Sequence, residues 1–333
     1  MTSLLSTVKA QATAVETLRR ALAAGRVHHA YLFDGPDGVG KERTAFGLAQ
    51  ALVCERRPEG ASEACGECRA CTRAVPRDGE TRPLHPDVVV LERGLYDPAT
   101  IGRRTPETQE ISIDQVRTLA LARSAFAPHE GRAKVFIIRR AEELSISAAN
   151  ALLKTLEEPG ARTHFVLLSA TADALLPTIR SRTQRVRFGV LPEPVVAELL
   201  IARGVEGGPA EEIARLSGGS MATAVALGDP EASQRREEFV SRALASLESR
   251  DLGGALELAE DAKKGDKGTL VQQLEALATA LAIRARATAG DADHHADSAA
   301  ARHALALAAV QQLDGNASAQ LAVEAMLMKM RNA

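Results

Sequence analysis

Tryptophan is absent from this chain of 333 residues, and aromatic residues make up only 3% of it. Single-stranded nucleic acid is gripped by rows of rings on which bases stack, so a base-stacking platform is not expected here. Neither sign of charge is in excess: 41 Lys and Arg against 43 Asp and Glu leave a formal net charge of −2. A protein that coats DNA unaided needs a surplus of cations to neutralise phosphates, so any nucleic-acid contact is expected to be local or shared with partners. No apolar run approaches the ~18 residues of a membrane span. The opening stretch MTSLLSTVKAQ lacks the charged region and apolar core of a secretory signal. A cytoplasmic protein with no membrane partner is the expectation. Cysteine is scarce too, at four residues, and in a reducing compartment grouped thiols more often ligate a metal than form disulfides.

What is present is ordinary globular material, 45% hydrophobic and 25% charged, in a length that accommodates two or three domains. It is organised around AYLFDGPDGVGKER, residues 30–43. An apolar stretch over 30–33 reads as a buried strand, Gly35 to Lys41 spell G-x-x-x-x-G-K, and helical spacing begins at once with Arg43, Ala45, Phe46, Leu48 and Ala49. Strand, glycine loop and helix in that order point to phosphate binding. Gly35, Gly38 and Gly40 let consecutive amides face phosphate oxygens, the helix adds its positive end, and Lys41 supplies a point charge. The hydroxyl that should follow the lysine to hold magnesium is replaced by Glu42. His28 and His29 read as a loop pair packed beside the nucleotide pocket, since no ligand-spaced partners sit nearby.

After the helix over 43–54 the apolar period stops, and Cys54, Cys65, Cys68 and Cys71 fall in one short insert with the spacing C-x10-C-x2-C-x2-C. Four thiolates so close together suit a tetrahedral zinc site, and the tight x2 spacings let backbone amides face the sulfurs. Four protein ligands leave no open position, so the role of Zn2+ would be structural. Arg56, Arg57, Arg69, Arg73 and Arg77 flank the insert and would suit a nucleic-acid binder, but Glu55, Glu59, Glu63 and Glu67 nearly balance them.

Further strands are expected over 88–91, 135–138, 165–168 and 185–188, alternating with helices over 4–24, 112–126 and 148–156, the last capped by Ser145 and stopped by Pro159. Alternation of this kind specifies an α/β fold with a doubly wound, parallel, five-stranded sheet. From Leu191 only helices are expected, short ones near 193–203, 210–216 and 219–227. An Ala- and Leu-rich helical region then runs from Pro230 to Arg331, broken at Gly253-Gly254, 265–268, 290–297 and Gly315. Asp291, Asp293, His294, His295 and Asp297 lie in one of these breaks and read as a solvated loop.

Five segments together resemble one family: HHAYLFDGPDGVGK, the four-cysteine insert, ISIDQVRTL, KVFIIRRAEELSISAANALLKTLEEP and LPTIRSRTQRVRF. The family is that of the bacterial clamp-loader subunits of the AAA+ superfamily. The resemblance runs from about Leu4 to Gly228, and NASAQLAVEAMLMKM extends it to the C-terminus. It implies an α/β AAA+ module over 1–188 with the zinc insert at 54–71, a small helical lid domain over 189–228, and an all-α collar domain for oligomerisation over 229–333. It implies partners too: ATPase subunits and the delta subunit in a pentameric ring, with the sliding clamp and primed DNA contacted mainly through the complex.

The resemblance also implies losses. It puts the magnesium-binding hydroxyl at Glu42, the acidic pair for magnesium and water at Arg139 and Arg140, and the nucleotide-sensing arginine of the lid at Ala222. A guanidinium has no acceptor, so Arg140 cannot take a proton from water and Arg139 cannot bind magnesium. Glu42 brings a carboxylate beside phosphate oxygens, and a pairing of Arg139 with Glu42 in place of the metal is one outcome the residues allow. What survives is Arg182, which the resemblance makes an arginine finger reaching a neighbour's ATP, with Thr183 where family members usually carry Cys; otherwise it is a surface arginine in a basic turn with Arg180, Arg185 and Arg187. The expectation is a non-hydrolysing, non-catalytic subunit of the replicative DNA polymerase III holoenzyme, the alternative being an ATP-hydrolysing clamp-loader subunit in which Glu42 itself binds magnesium. Whether ATP or ADP binds at the degenerate loop stays open at this point.

Overall fold

The structure, a computed structural model, describes residues 3–332 except 78, 107, 108, 131, 250, 266, 289–294, 315 and 316, and describes only the backbone at 286–288, 295–297 and 314. Two compact units, Met1–Val225 and Ala226–Ala333, divide the chain.

The first unit is built on five parallel strands, β1 (Ala30–Asp34), β2 (Val88–Leu91), β3 (Lys134–Ile138), β4 (Thr163–Ser169) and β5 (Gln184–Arg187), in the order β2-β3-β4-β1-β5. Continuous apolar runs make β1 to β4 because both faces are covered, whereas β5, at the edge of the sheet, buries only Val186. Alternate residues then feed two separate cores. Tyr31, Phe33, Val135, Ile137, Val166 and Leu168 face α1 (Ala12–Ala23), α2 (Lys41–Val53) and α3 (Arg69–Arg73). Leu32, Phe136, Ile138, Phe165 and Leu167 share the other core with Val116, Leu119, Leu152, Leu156 and Ile179. A one-residue slip in register would exchange the two sets.

The helix expected over 112–126 runs from α4 (Ile113–Gln115) to α5 (Ala122–Ser124), with a π-helical turn, Val116–Leu121, between them. Ser112 caps it by accepting a hydrogen bond from the Gln115 amide. Buried Gln115 in turn exchanges two hydrogen bonds with the Glu92 backbone, 3.1 and 3.0 Å, and so fixes the chain where it leaves β2. α6 (Ile146–Glu157) carries the expected Ser145 cap. α7 (Pro177–Arg180) is the turn after β4.

One expectation needs correcting. The N-terminal helix over 4–24 is two pieces, a 3-10 turn (Leu4–Thr7) and α1, with Ala10 at φ 55° between them. The break follows from packing on α2. Leu5 is buried so closely over Gly47 that a Cβ there would meet it at 2.9 Å, and the Leu4 amide donates to Gln50 Oε1 at 3.0 Å.

Three short helices follow the sheet: α8 (Glu193–Ile201), α9 (Gly207–Leu216) and α10 (Met221–Gly228). Leu191, Val196, Leu200, Ala210, Ala214 and Ala224 join the same core as β1 and α2. The second unit holds α11 (Pro230–Glu248), α12 (Gly253–Lys264), α13 (Lys267–Thr288), α14 (His295–Asp314) and α15 (Ala319–Arg331) around Phe239, Leu258, Leu274, Leu277, Leu313, Val323 and Leu327. Arg331 ties its last helix down by donating to the carbonyls of Ser246, Ser249 and Asp251. Asp291, Asp293 and His294 lie outside the described residues, and His295 opens α14. Among the described residues no helix is long and apolar enough to cross a membrane.

Candidate functional site

The helices after β1 and β4 go to opposite faces of the sheet, which opens a crevice at the carboxyl ends of these neighbouring strands. The glycine loop fills its rim. Gly38 has φ 75°, and a Cβ there would lie 2.3 Å from the Ala222 amide nitrogen. Only glycine permits this turn and this approach of the lid. The lid is fastened to the loop by Ser220 Oγ, which donates to Asp37 O at 2.9 Å, and by the Met221 amide, which donates to Gly38 O at 3.1 Å. Gly35 lies so near the Phe188 carbonyl that a Cβ would meet its oxygen at 2.2 Å. Gly40 is the N-cap of α2, at φ 102°. Among the described residues, no acceptor within the chain meets the amides of Gly38, Val39, Gly40 or Lys41. Lys41 is buried, and its ammonium donates back into the loop, to Gly35 O, to Pro36 O at 2.7 Å and to Asp37 Oδ1 at 3.3 Å.

At the carboxyl end of β3, Arg139 lies between two acids. Its Nη1 donates to Glu92 Oε2 at 2.7 Å, its Nη2 donates to Glu42 Oε1, and Nη2 also reaches Thr81 O at 3.1 Å. The side chain is 13% exposed and its Nε is buried without a partner. Burial opposes the charge there, but the carboxylates of Glu42 and Glu92 more than offset it and hold the guanidinium above its ordinary range. A cation of the chain's own thus joins the start of α2 to the end of β2, and the two carboxylates are committed to it. Arg139→Met would leave Glu42 and Glu92 facing each other without a counter-charge. A stability loss of about 2 kcal/mol is expected, read as a lower urea midpoint; an unchanged midpoint would show that the ion triad does not hold these elements together.

These groups line a cleft of about 1080 Å³ together with Arg43, Arg140, Glu142, Arg203, Met221 and Ala222. Arg140, at φ 45°, reaches Glu143 at 3.4 Å. Burial, and then the Arg203 guanidinium, pull Arg43 below its ordinary pKa. Ala222 offers only a methyl group to the cleft. Glu142 uses Oε1 to accept from the Ala170 amide at 3.2 Å, while its buried Oε2 has no partner.

Arg182 does not line this cleft. It follows α7 and is partly exposed, with Nε donating to Glu157 Oε1 at 2.7 Å, Nη2 to the same oxygen, and Nη1 to Thr178 O at 3.0 Å and Ser181 Oγ at 3.3 Å. Its neighbours in the basic turn are paired as well, Arg180 with Asp173 at 2.6 Å and Arg185 with Asp34 at 2.8 Å. Thr183 turns its hydroxyl inward to Ile179 O at 3.1 Å.

The four cysteine sulfurs lie within 4.8 Å of one another. Cys54 is 3.6 Å from Cys65 and 3.9 Å from Cys68, and Cys65 is 3.9 Å from Cys71. A disulfide is far shorter, at about 2 Å. Tetrahedral thiolates around a metal at about 2.3 Å stand about 3.8 Å apart, so the donor set fits such an ion. Amides of Cys65 and Cys68 donate to the sulfurs of Cys54 and Cys65, each at 3.4 Å. Burial raises the Cys65 thiol, but hydrogen bonds from the amides of Glu67 and Cys68 and from the thiols of Cys54 and Cys68 together bring it down to about 6. The insert is tied to the sheet through Arg73, which donates to Glu130 at 2.7 Å, and Glu130 stands 3.4 Å from buried His85.

His28 and His29 are not beside the cleft. They precede β1, whereas the glycine loop follows it, so a full strand separates them from the site. There His28 and His29 stack at 4.3 Å, His28 Nδ1 meets Ala30 O at 2.7 Å and His29 Nε2 meets Leu156 O at 2.8 Å. The sequence reading missed Glu92 and Glu157. An acid directly after the VVVL strand was the available signal for the first; nothing local marks the second, which meets its partner across 25 positions.

Strand order, a cleft at the carboxyl edge and a helical lid closed on a glycine loop define a protein of the AAA+ class. The sequence profile of the family described as DNA polymerase III, delta subunit, matches residues 10–192. The chain belongs to that family. It is 39% identical over 217 residues to DNA polymerase III subunit delta′ of Pseudomonas aeruginosa, covering 64% of this chain and 59% of that protein. It is 38% identical over 183 residues to DNA polymerase III subunit gamma/tau of Mycobacterium tuberculosis, 55% of this chain and 28% of that one. Each of these relatives is thus spanned over less than two thirds of its length. A crystal structure of a DNA polymerase III gamma subunit-related protein from Thermotoga maritima superposes with a TM-score of 0.50 at 19% identity, covering 95% of this chain and 98% of that one. That likeness speaks to the fold alone.

Proposed function

We propose that this chain is a delta′-like, non-hydrolysing subunit of the clamp loader of DNA polymerase III, acting in the cytoplasm during loading of the sliding clamp in DNA replication. It offers Arg182 in trans to the ATP of a neighbouring ATPase subunit. The observation that carries the reading is the ion triad of Glu42, Arg139 and Glu92, in which the acid after the loop lysine is paired with the chain's own cation. Neither Arg139 nor Arg140 has a lone pair for a metal or for a water proton. Arg182, outside its own cleft and at the surface, supports a role toward a neighbour.

In this reading Cys54, Cys65, Cys68 and Cys71 hold a structural Zn2+, which closes the insert against α2 and takes no part in chemistry. The helices from 229 onward serve as the collar of a pentameric ring with the ATPase subunits and delta. Clamp and primed DNA are met through the assembly, in keeping with the net charge of −2. Nucleotide binding at Gly35, Gly38, Gly40 and Lys41 requires Lys41 to exchange its loop carbonyls for phosphate oxygens.

One observation favours a second reading, a gamma/tau-like ATPase. Glu142 lines the cleft with a free buried oxygen and could orient water. Turnover of Mg-ATP separates the two. The isolated chain is expected to hydrolyse nothing above background yet to raise turnover when added to partner ATPase subunits. Hydrolysis by the chain alone, lost in both Lys41→Ala and Glu142→Gln, would displace the first reading by the second.

A further inference from the structure

We propose that Glu157 is the positioning residue for Arg182, fixing the guanidinium in place before it meets a neighbour's phosphates. The proposal rests on the reading of Arg182 as a trans finger and names the side chain that makes that finger work. An arginine stem is long and loses much rotamer freedom when it is fixed. Here the fixing is done before a partner arrives: Nε and Nη2 both donate to Glu157 Oε1, and Nη1 donates to Thr178 O at 3.0 Å. A guanidinium has five N–H groups, so one hydrogen on Nη2 stays uncommitted to this chain.

The place of Glu157 in the fold is a second, independent pointer. It is the last residue of α6, which Pro159 prevents from continuing. A carboxylate at a helix C-terminus meets the negative end of the macrodipole and is unfavourable there. The guanidinium of Arg182 compensates it, so the acid fits this position through what it holds. Arg180, anchored to Asp173 at 2.6 Å, keeps the α7 turn beneath it.

The test uses the reconstituted loader carrying Glu157→Ala, Glu157→Gln, Arg182→Ala or Glu157→Ala with Arg182→Ala, reading DNA-stimulated ATP turnover. Glu157→Ala is expected to lower kcat about tenfold with KM for ATP unchanged. Glu157→Gln, which keeps an acceptor oxygen, should retain most of the rate. The double variant should be no slower than Arg182→Ala alone, because a positioning residue has nothing left to position. Thermal midpoints of the variants, close to that of the parent chain, will show that they fold. An unchanged kcat in Glu157→Ala, or a double variant slower than Arg182→Ala, would overturn the proposal while leaving the finger reading intact. Unchanged turnover in Arg182→Ala would overturn both.

Discussion

Arg182→Ala is expected to leave the assembled complex intact and to cut ATP turnover by the adjacent ATPase subunit by about 10³–10⁵. On the trans-finger reading proposed above, the size follows from what a guanidinium does at a transferring phosphoryl group. Charge spreads over the equatorial oxygens in the transition state, and a preorganised cation in a site shielded from water is worth far more there than in solution. The cost to this chain's own stability should be small by comparison. Arg182 and Glu157 form a partly exposed ion pair, and such pairs contribute about 0–1 kcal/mol. The same variant therefore separates rate from folding. Size-exclusion chromatography that still shows the full assembly, with turnover collapsed, is the expected pair of results. Turnover within twofold of the parent complex would remove Arg182 from the reaction.

Removing the zinc proposed for the four-cysteine insert is the second change with a large expected effect. Cys54, Cys68 and Cys71 are buried in the core that also holds α2 and the face of β1 carrying Tyr31 and Phe33. Without an ion, deprotonating the set would crowd like charges, while the neutral thiols would lose their tetrahedral tether. Metal binding and local folding are coupled in sites of this kind. Cys71→Ser, or titration of the thiols with a mercurial, should release zinc, detectable with a chromogenic chelator. It should also open residues 54–87 to protease and lower stability by about 3–5 kcal/mol. The core formed by Phe136, Phe165, Leu152 and Leu167 contains no cysteine, so the sheet is expected to survive and the damage to stay on one face. A purified chain that holds no zinc, or one that resists protease equally after thiol modification, would count against a metal in the insert.

Legibility varied along the chain for physical reasons. Four of the strands could be read because a parallel sheet covered on both faces demands unbroken apolar runs, and VVVL or VFII admits little else; QRVR, at the edge with only Val186 buried, carries no such run. The Ser145 cap and the Pro159 stop were legible because they act through adjacent backbone. The N-terminal helix was not, since what divides it is Leu5 burying itself over Gly47, more than forty positions away. His28 and His29 were read as packing beside the nucleotide pocket for a related reason. Neighbours in sequence to a glycine loop can lie a strand's length from it in space.

The amino-acid sequence by itself determined the α/β alternation, the glycine loop followed by Glu42 in place of a hydroxyl, and the cysteine spacing, because each of these is set by residue type at short range; that Arg139 and Arg140 stand at positions of an acidic pair is what the resemblance implies. Only the tertiary structure decided that Arg139 is held between Glu42 and Glu92, that the lid is fastened to Asp37 through Ser220 and to Gly38 through Met221, and that Arg182 rests on Glu157. Those partners come together across 47 and 97 residues in the first case, 183 in the second and 25 in the third. Strand order and helix packing bring them within reach, and no local pattern in the chain encodes that.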